Sequence, residues 1–240
     1  MSITYDLFVE SGPRRRKTMV HVIGLLGCMA NAPDTEAALA ATPEAIRAYR
    51  RFLRRQGEVI DAEEPFTTRI IHHVTEGEGL GEGMPYVTFA PDLVPLSAPE
   101  VDLYLNRLHG LSDKLATWAA ARSPAELDAL PTERGRTARA ILLHVIGAQG
   151  AALSYALTGA PGFGRLRGAA ERGELDLTVA VRQAADLAAS YTRGASPAQR
   201  EQIRELNGNQ YTLRKSVRHL LEHGWEHLVE LARRPGGPQL

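Results

Sequence analysis

The stretch RKSVRHLLEHGWEH, residues 214–227, decides how the C-terminal part of this 240-residue chain is interpreted. It lies within a helical pattern of apolar residues that predicts a helix from about 209 to 233. His219, His223 and His227 follow one another at intervals of four. Four residues of an α-helix correspond to about 400° of rotation and about 6 Å of rise, so neighbouring histidines share a face and can bind one metal ion. The outer two are about 12 Å apart along the axis, so one ion is expected to take one adjacent pair.

A third ligand must then come from another helix, and His144 is the natural donor. It lies in the strongly apolar segment Leu142-Leu143-His144-Val145-Ile146. A buried imidazole there needs partners for both ring nitrogens, so it is either a neutral core histidine bonded to a carbonyl or carboxylate, or a metal ligand. Its combination with a histidine pair on the last helix favours the metal.

Helical periodicity extends over the whole C-terminal part. Long amphipathic segments are predicted at about 97–121, 134–158, 175–192 and 209–233, and four such helices are sufficient for an antiparallel bundle. We expect residues 97–240 to form this all-α four-helix bundle.

The N-terminal part has a different pattern of residues, typical of mixed strands and helix. It predicts strands at 3–10, 18–26 and 66–75, and a helix from Thr35 toward Gln56. Pro43 removes an amide donor inside that helix, so the sequence is compatible with one continuous helix or with two shorter helices. A Gly- and Pro-rich run from 77 to 99 marks a boundary, and we therefore expect a small α+β domain over residues 1–96.

Composition narrows the function classes. The chain has 28 basic and 28 acidic side chains and no net charge, which gives no long-range attraction to nucleic acid or to a membrane surface. Its one tight basic run, Arg14 to Lys17, is interpreted as a solvated turn between two strands. No apolar run predicts a membrane span, and the N-terminus lacks the basic region of a secretory signal. The expected partners are a small molecule and, for assembly, a second copy of the chain in a homodimer.

Cys28 is the only cysteine, which excludes an intrachain disulfide and a multi-cysteine zinc site. A cytoplasmic setting is the simplest expectation. A reactive thiolate would need a base, a cation or a helix N-terminus beside it, so the Gly27-Cys28 turn is interpreted as structural.

Residues of about 97–234 resemble the DinB-like superfamily, which includes thiol-dependent transferases and isomerases. The matching elements are Leu143-His144-Val145, followed by Gly147-Ala148-Gln149, and the run 214–227. The resemblance implies a four-helix bundle with a metal held by three histidines, here His144, His223 and His227. His219, one turn earlier, would lie beside the ligands or at the surface. Where the family frequently ends in two histidines, arginine and Gly-Gln, this chain has His227-Leu-Val-Glu230.

Residues of about 1–57 resemble the HicB-like domain. The resemblance is carried by Val22–Cys28 and by the helix that begins Asp34-Thr35-Glu36-Ala37-Ala38-Leu39, although Leu26 stands where proline is usual. The antitoxins of that family generally add a DNA-binding module, and this sequence shows no ribbon-helix-helix or helix-turn-helix pattern. The resemblance therefore implies an α+β binding or assembly module and not toxin neutralisation.

Two functions remain open. One is a metal-dependent enzyme, either a transferase or a hydrolase, in which zinc, nickel, iron or manganese, one ion per chain, keeps a position free for water or substrate. Glu222 or Glu226 would then orient a histidine or move a proton. The other is a non-catalytic metal- or ligand-binding protein assembled through its N-terminal domain.

Overall fold

The computed structural model describes residues 3–13, 16–131 and 135–240. The strands in these ranges are β1 (Ile3–Ser11), β2 (Arg16–His21), β3 (Met29–Asp34), β4 (Phe66–Val74), β5 (Arg204–Leu206) and β6 (Asn209–Tyr211). The α-helices are α1 (Thr35–Arg55), α2 (Ala98–Ala120), α3 (Pro124–Asp128), α4 (Ala138–Leu157), α5 (Phe163–Glu171), α6 (Leu177–Gly194), α7 (Pro197–Glu201) and α8 (Leu213–Ala232). Single 3-10 turns cover Ile23–Leu25 and Ala90–Leu93.

The N-terminal strands form one four-stranded sheet in the order β3-β2-β1-β4. The pairs β1–β2 and β2–β3 are antiparallel, whereas β4 runs parallel to β1 at the sheet edge. A parallel neighbour requires a crossover connection, and α1 supplies it between β3 and β4. Helix α1 packs against β2 and β3.

The four long C-terminal helices form a bundle. Helix α2 packs against α6 and α8, and α4 packs against the same two helices. These four contacts make α2 and α4 diagonal neighbours and leave α6 and α8 on the other diagonal. The structure thus has the predicted arrangement of an N-terminal β-sheet region followed by a helical bundle.

Helix α8 lies between the bundle and the N-terminal sheet. Of its 20 residues, 15 are buried, although its sequence is rich in charge. Trp225 of α8 packs edge-on against Tyr49 of α1, and its ring centre lies 5.5 Å from that of Phe52. One continuous apolar core runs from the sheet through α8 into the bundle. The boundary at residues 96 and 97 stays a prediction.

The predicted strand at 18–26 is wrong in its second half. Strand β2 ends at His21, a 3-10 turn follows, and the chain re-enters the sheet as β3. Strand β3 has the sequence MANAPD, which contains no β-branched residue. Its extended conformation comes from pairing with β2, a tertiary contact that residue preferences do not register.

Pro43 does not divide the first helix, which settles the question left open by the sequence. Helix α1 is continuous from its cap at Asp34, whose side chain accepts a hydrogen bond from the Ala37 amide at 2.8 Å. Its buried face, which includes Ile46 and Phe52, is continuous with the apolar core. Packing of that face offsets the one hydrogen bond that Pro43 cannot make.

Other predictions are resolved element by element. The predicted strands at 3–10 and 66–75 are confirmed as β1 and β4, and the long helices as α2, α4, α6 and α8. The start of the fourth helix was predicted about four residues too early, because Asn209–Tyr211 form strand β6. Helix α5 and the short helices α3 and α7 were missed, because segments of five to nine residues carry too little periodicity. In the predicted basic turn, Arg14 and Arg15 lie outside the described residues, while Lys17 forms an exposed ion pair with Glu82.

Helix α4 is long and apolar enough to cross a membrane by length and composition alone, which the sequence analysis did not anticipate. In the structure, 61% of its most apolar window is buried. A core helix of a bundle passes the same test, so this property is weak evidence for a membrane span. The predicted absence of a membrane partner stays a prediction.

Candidate metal centre

The structure brings the three predicted ligands together at the contact between α4 and α8. His223 Nε2 lies 3.0 Å from His144 Nε2 and 3.2 Å from His227 Nε2. The donor atoms of all three side chains lie within 4.8 Å of one another. Helix geometry explains the pair on α8, because positions four apart share a face. Only tertiary packing explains how His144 of α4 reaches them.

This spacing fits a metal ion better than it fits a set of hydrogen bonds. Imidazole nitrogens bound to one tetrahedral zinc ion at 2.0–2.1 Å lie about 3.3 Å apart, close to the observed separations. His223 Nε2 faces two other ring nitrogens and, with one hydrogen, can donate to only one of them. The donor set therefore fits a divalent transition metal; this chemistry suits zinc, nickel and iron alike.

Glu230 orients one of the three rings. The Nδ1 atom of His227 donates to Glu230 Oε2 at 2.7 Å, and the same carboxylate forms ion pairs with Arg136 and Arg234 at 3.1 Å each. A hydrogen on Nδ1 leaves the lone pair on Nε2, the atom that faces the other histidines. A carboxylate behind a ligating histidine fixes the tautomer and raises the basicity of the ligand.

The surroundings keep His144 and His223 neutral. Partial desolvation of its ring, followed by the electrostatic influence of His227, Arg136 and Arg167, lowers the pKa of His144 to about 4. Burial also holds the pKa of His223 well below its usual range. For Glu230, burial raises the pKa, but the hydrogen bond from His227 and the nearby arginines outweigh it, so the pKa is lowered. Neutral imidazoles next to an ionised carboxylate are the protonation states that metal binding requires.

His144 is exposed, whereas its apolar sequence context suggested burial. The residues beside it, Leu143 and Val145, are buried, so α4 turns its apolar sides to the bundle and directs His144 out of it. The imidazole faces a cavity and not the core. The alternative of a buried core histidine bonded to a carbonyl is therefore wrong.

His219 lies one turn before the pair, as the sequence indicated. Its ring centre is 5.3 Å from that of His223, and it lines the same cavity, but it is not among the three converging side chains. Burial and the nearby Arg218 lower the pKa of His219 to about 4. The structure therefore places His219 beside the histidine cluster and not in it.

The cluster lies at the wall of a cavity of about 490 Å³. One wall is the small-residue face of α4, formed by Gly147, Ala148, Ala151 and Ala152, and Tyr155 follows it one turn later. The opposite wall comes from the N-terminal part of the chain, where the segment 82–85 covers the histidines. A cavity of this size, suited to a small molecule, adjoins the histidine cluster, and both halves of the chain build it.

Backbone geometry holds the covering segment in place. Gly81 has a φ of +70°, and its amide donates to the buried Glu10 Oε1 at 3.1 Å. A Cβ at this position would stand 1.5 Å from the carbonyl oxygen of Lys17, so only glycine fits. The sequence marked this Gly-rich run only as a linker, and no local signal placed it over the histidines.

The two glutamates named as orienting or proton-moving groups have separate partners. Glu222 Oε2 bonds to His21 Nδ1 at 3.0 Å and accepts from Arg218 at 2.8 Å. Glu226 Oε1 accepts from Asn31 Nδ2 at 2.8 Å, and Glu226 lines the histidine cavity. The carboxylate that orients a histidine of the cluster is Glu230, which sequence reasoning missed, although its position three residues after His227 puts it on the same helix face.

Cys28 is fully buried, and burial raises the pKa of its thiol. The sequence interpretation of this residue as structural agrees with that environment, because a reactive cysteine requires stabilisation of its thiolate.

Comparisons with known proteins give one structural similarity. No protein-family model matches the chain, and no curated protein matches it. YfiT from Bacillus subtilis, described as a probable metal-dependent hydrolase with an unusual four-helix bundle topology, aligns with 14% identity and a TM-score of 0.44. The alignment covers 62% of this chain and 92% of YfiT. A TM-score of this size carries no argument, so the bundle and the histidine cluster stand on this chain's own geometry, and the HicB-like resemblance stays a prediction.

Proposed function

We propose that this protein is a metal-dependent enzyme of the DinB-like kind, which binds one divalent transition metal through His144, His223 and His227. The observation that carries the proposal is the convergence of the three Nε2 atoms at the wall of a cavity of about 490 Å³. Three protein ligands leave at least one coordination position for water or substrate, as in catalytic metal sites. When bound, such a metal lowers the pKa of a ligand or polarises a carbonyl.

The chain's own residues supply orientation and enclosure. Glu230 holds His227 with its Nε2 lone pair toward the cluster. The small side chains of α4 leave room for the body of a ligand, and the segment 82–85 contributes a further part of the cavity lining. Glu226, which is half-buried, also lines this cavity, and desolvation raises its pKa. This open, asymmetric arrangement favours catalysis over a closed structural metal site.

Metal content tests the ligand set. The parent chain, loaded with zinc, nickel, iron or manganese and then desalted, should retain about one equivalent by plasma mass spectrometry. His223→Ala and His227→Ala should lose most of it, and His144→Ala should bind much more weakly. His219→Ala is the matched control, because it removes an imidazole from the same helix one turn away and should keep the metal.

Two results would contradict this assignment. If His219→Ala empties the site while His227→Ala stays loaded, the ligand register is wrong by one turn. If no variant changes the metal content, the histidines are structural and the enzyme proposal loses its support.

Catalysis is tested separately on the metal-loaded parent chain with a chromogenic ester. Hydrolysis of the ester should disappear after chelation and return when the metal is restored.

A further inference from the structure

We propose that the substrate of the histidine cavity carries a compact oxyanion, a carboxylate or a phosphate, which binds between Arg136 and Arg167 beside His144. This inference rests on the proposed function, since it concerns the same cavity, but it depends on two arginines that are not metal ligands.

Arg136 provides the first half of the anion site. Its side chain is 46% exposed and lines the cavity together with the three histidines. One of its terminal nitrogens is 3.1 Å from Glu230 Oε2. A guanidinium has five N–H donors, so this ion pair leaves most of them for another acceptor. Arg136 is therefore held at the rim by Glu230 and can still bind a ligand.

Arg167, on α5, provides the second half. Its Nη1 atom lies 3.5 Å from the position that a Cβ would take at Gly147. Gly147 follows His144 by one turn of α4 and lines the cavity. The guanidinium thus approaches α4 at Gly147, one turn after His144. Among the described residues, no carboxylate forms an ion pair with Arg167.

The balance of charge around His144 is positive. Glu230 is shared by Arg136, Arg234 and the Nδ1–H of His227, so it does not neutralise both arginines. Two other carboxylates line the cavity: Glu82, which is paired with Lys17, and Glu226, which accepts a hydrogen bond from Asn31. A cleft with apolar walls concentrates the electrostatic field of the charges that line it. Here the apolar wall is the small-residue face of α4.

The chemistry of the two groups defines the ligand class. Guanidinium groups bind carboxylate and phosphate through planar pairs of hydrogen bonds. The alanine and glycine wall provides apolar contact for the remaining part of a small molecule, and a volume of about 490 Å³ is in the range of small-molecule sites. An oxyanion held by Arg136 and Arg167 would direct that part toward the histidine cluster.

Binding of three small probes tests the inference on the full chain. Benzoate and phenyl phosphate each carry an oxyanion on the same ring, and benzamide is the neutral analogue. Calorimetric titration of the metal-loaded protein should give at least one oxyanion a dissociation constant roughly tenfold or more below that of benzamide. Tighter binding of benzoate would indicate a carboxylate substrate, and tighter binding of phenyl phosphate would indicate a phosphate substrate.

Arg167→Gln should weaken that binding about tenfold, while its metal content stays at the parent value. Arg165→Gln is the matched control, because it removes an exposed arginine two positions earlier on the same helix, and its affinity should stay within about twofold of the parent. Equal affinity for benzamide and both oxyanions, or equal effects of the two substitutions, would overturn the inference.

The same titration of chelator-treated protein separates this inference from the metal proposal. An oxyanion preference that depends on Arg167 in a chain that takes up no metal would support the anion site and refute the metal site. A chain that retains metal but shows no oxyanion preference in either form would refute the anion site alone.

Discussion

Replacing Arg218 by methionine tests whether α8 is held to the N-terminal part by buried charge. Arg218 is 5% exposed. Its Nε and Nη2 donate to the two oxygens of Asp92 at 2.8 and 2.9 Å, and its Nη1 donates to Glu222 at 2.8 Å. Asp92 belongs to the segment before α2, so this one cation joins α8 to a part of the chain that is distant in sequence.

The expected loss of stability is large because the partners stay buried. Arg218→Met keeps most of the side-chain volume but leaves the fully buried Asp92 without its cation and leaves Glu222, which is 4% exposed, with His21 as its remaining partner. Breaking a buried ion pair on one side costs about 3–5 kcal/mol. The matched control is Arg182→Met, because Arg182 pairs with Asp113 at 2.9 Å on the surface, where such a pair contributes about 0–1 kcal/mol.

Urea unfolding at pH 7, followed by circular dichroism on the metal-free chain, measures both free energies of unfolding. Arg218→Met should shift the midpoint far more than Arg182→Met, with an unchanged dependence on urea. Adding Asp92→Asn to Arg218→Met should recover part of the loss, because it removes one unpaired buried charge. A cost for Arg218→Met below about 1 kcal/mol, equal to that of the surface control, would refute the argument.

Three further outcomes are expected. Trp225→Ala should lower the free energy of unfolding by about 3–5 kcal/mol, since it empties the buried contact with Tyr49; a thermal midpoint equal to that of the parent would show that the contact contributes nothing. Asp176→Ala should cost about 1 kcal/mol at pH 7, because it removes the cap of α6. Hydrogen bonds to Asp176 lower its pKa from the ordinary 3.8, so its stabilisation is present above that pH and is lost as the pH falls through the folded pKa; a difference between parent and variant that grows in acid would contradict this sign. Glu230→Gln should weaken metal binding about 10- to 100-fold without emptying the site at saturation, because it weakens the hydrogen bond that orients His227; chelator competition measures this, and an unchanged affinity would remove Glu230 from the site.

The sequence by itself determined the long helices and the register of the histidine pair. Periodicities of 3.6 residues and intervals of four are local properties, and burial of one helix face preserves them in the folded chain. His223 and His227 therefore share a face in any structure in which α8 is a helix. The strands β1 and β4 were predictable for a similar reason, since their β-branched and aromatic residues favour extended structure over nine consecutive positions.

Only the tertiary structure decided what surrounds those histidines. The exposure of His144, the position of segment 82–85 over the cluster and the approach of Arg167 to Gly147 all depend on contacts between elements that are far apart in sequence. Strand β3 likewise exists because β2 pairs with it. Such contacts depend on how whole helix and sheet faces pack together and on how the loops between them close. The spacing of neighbouring residues in the sequence specifies neither of these.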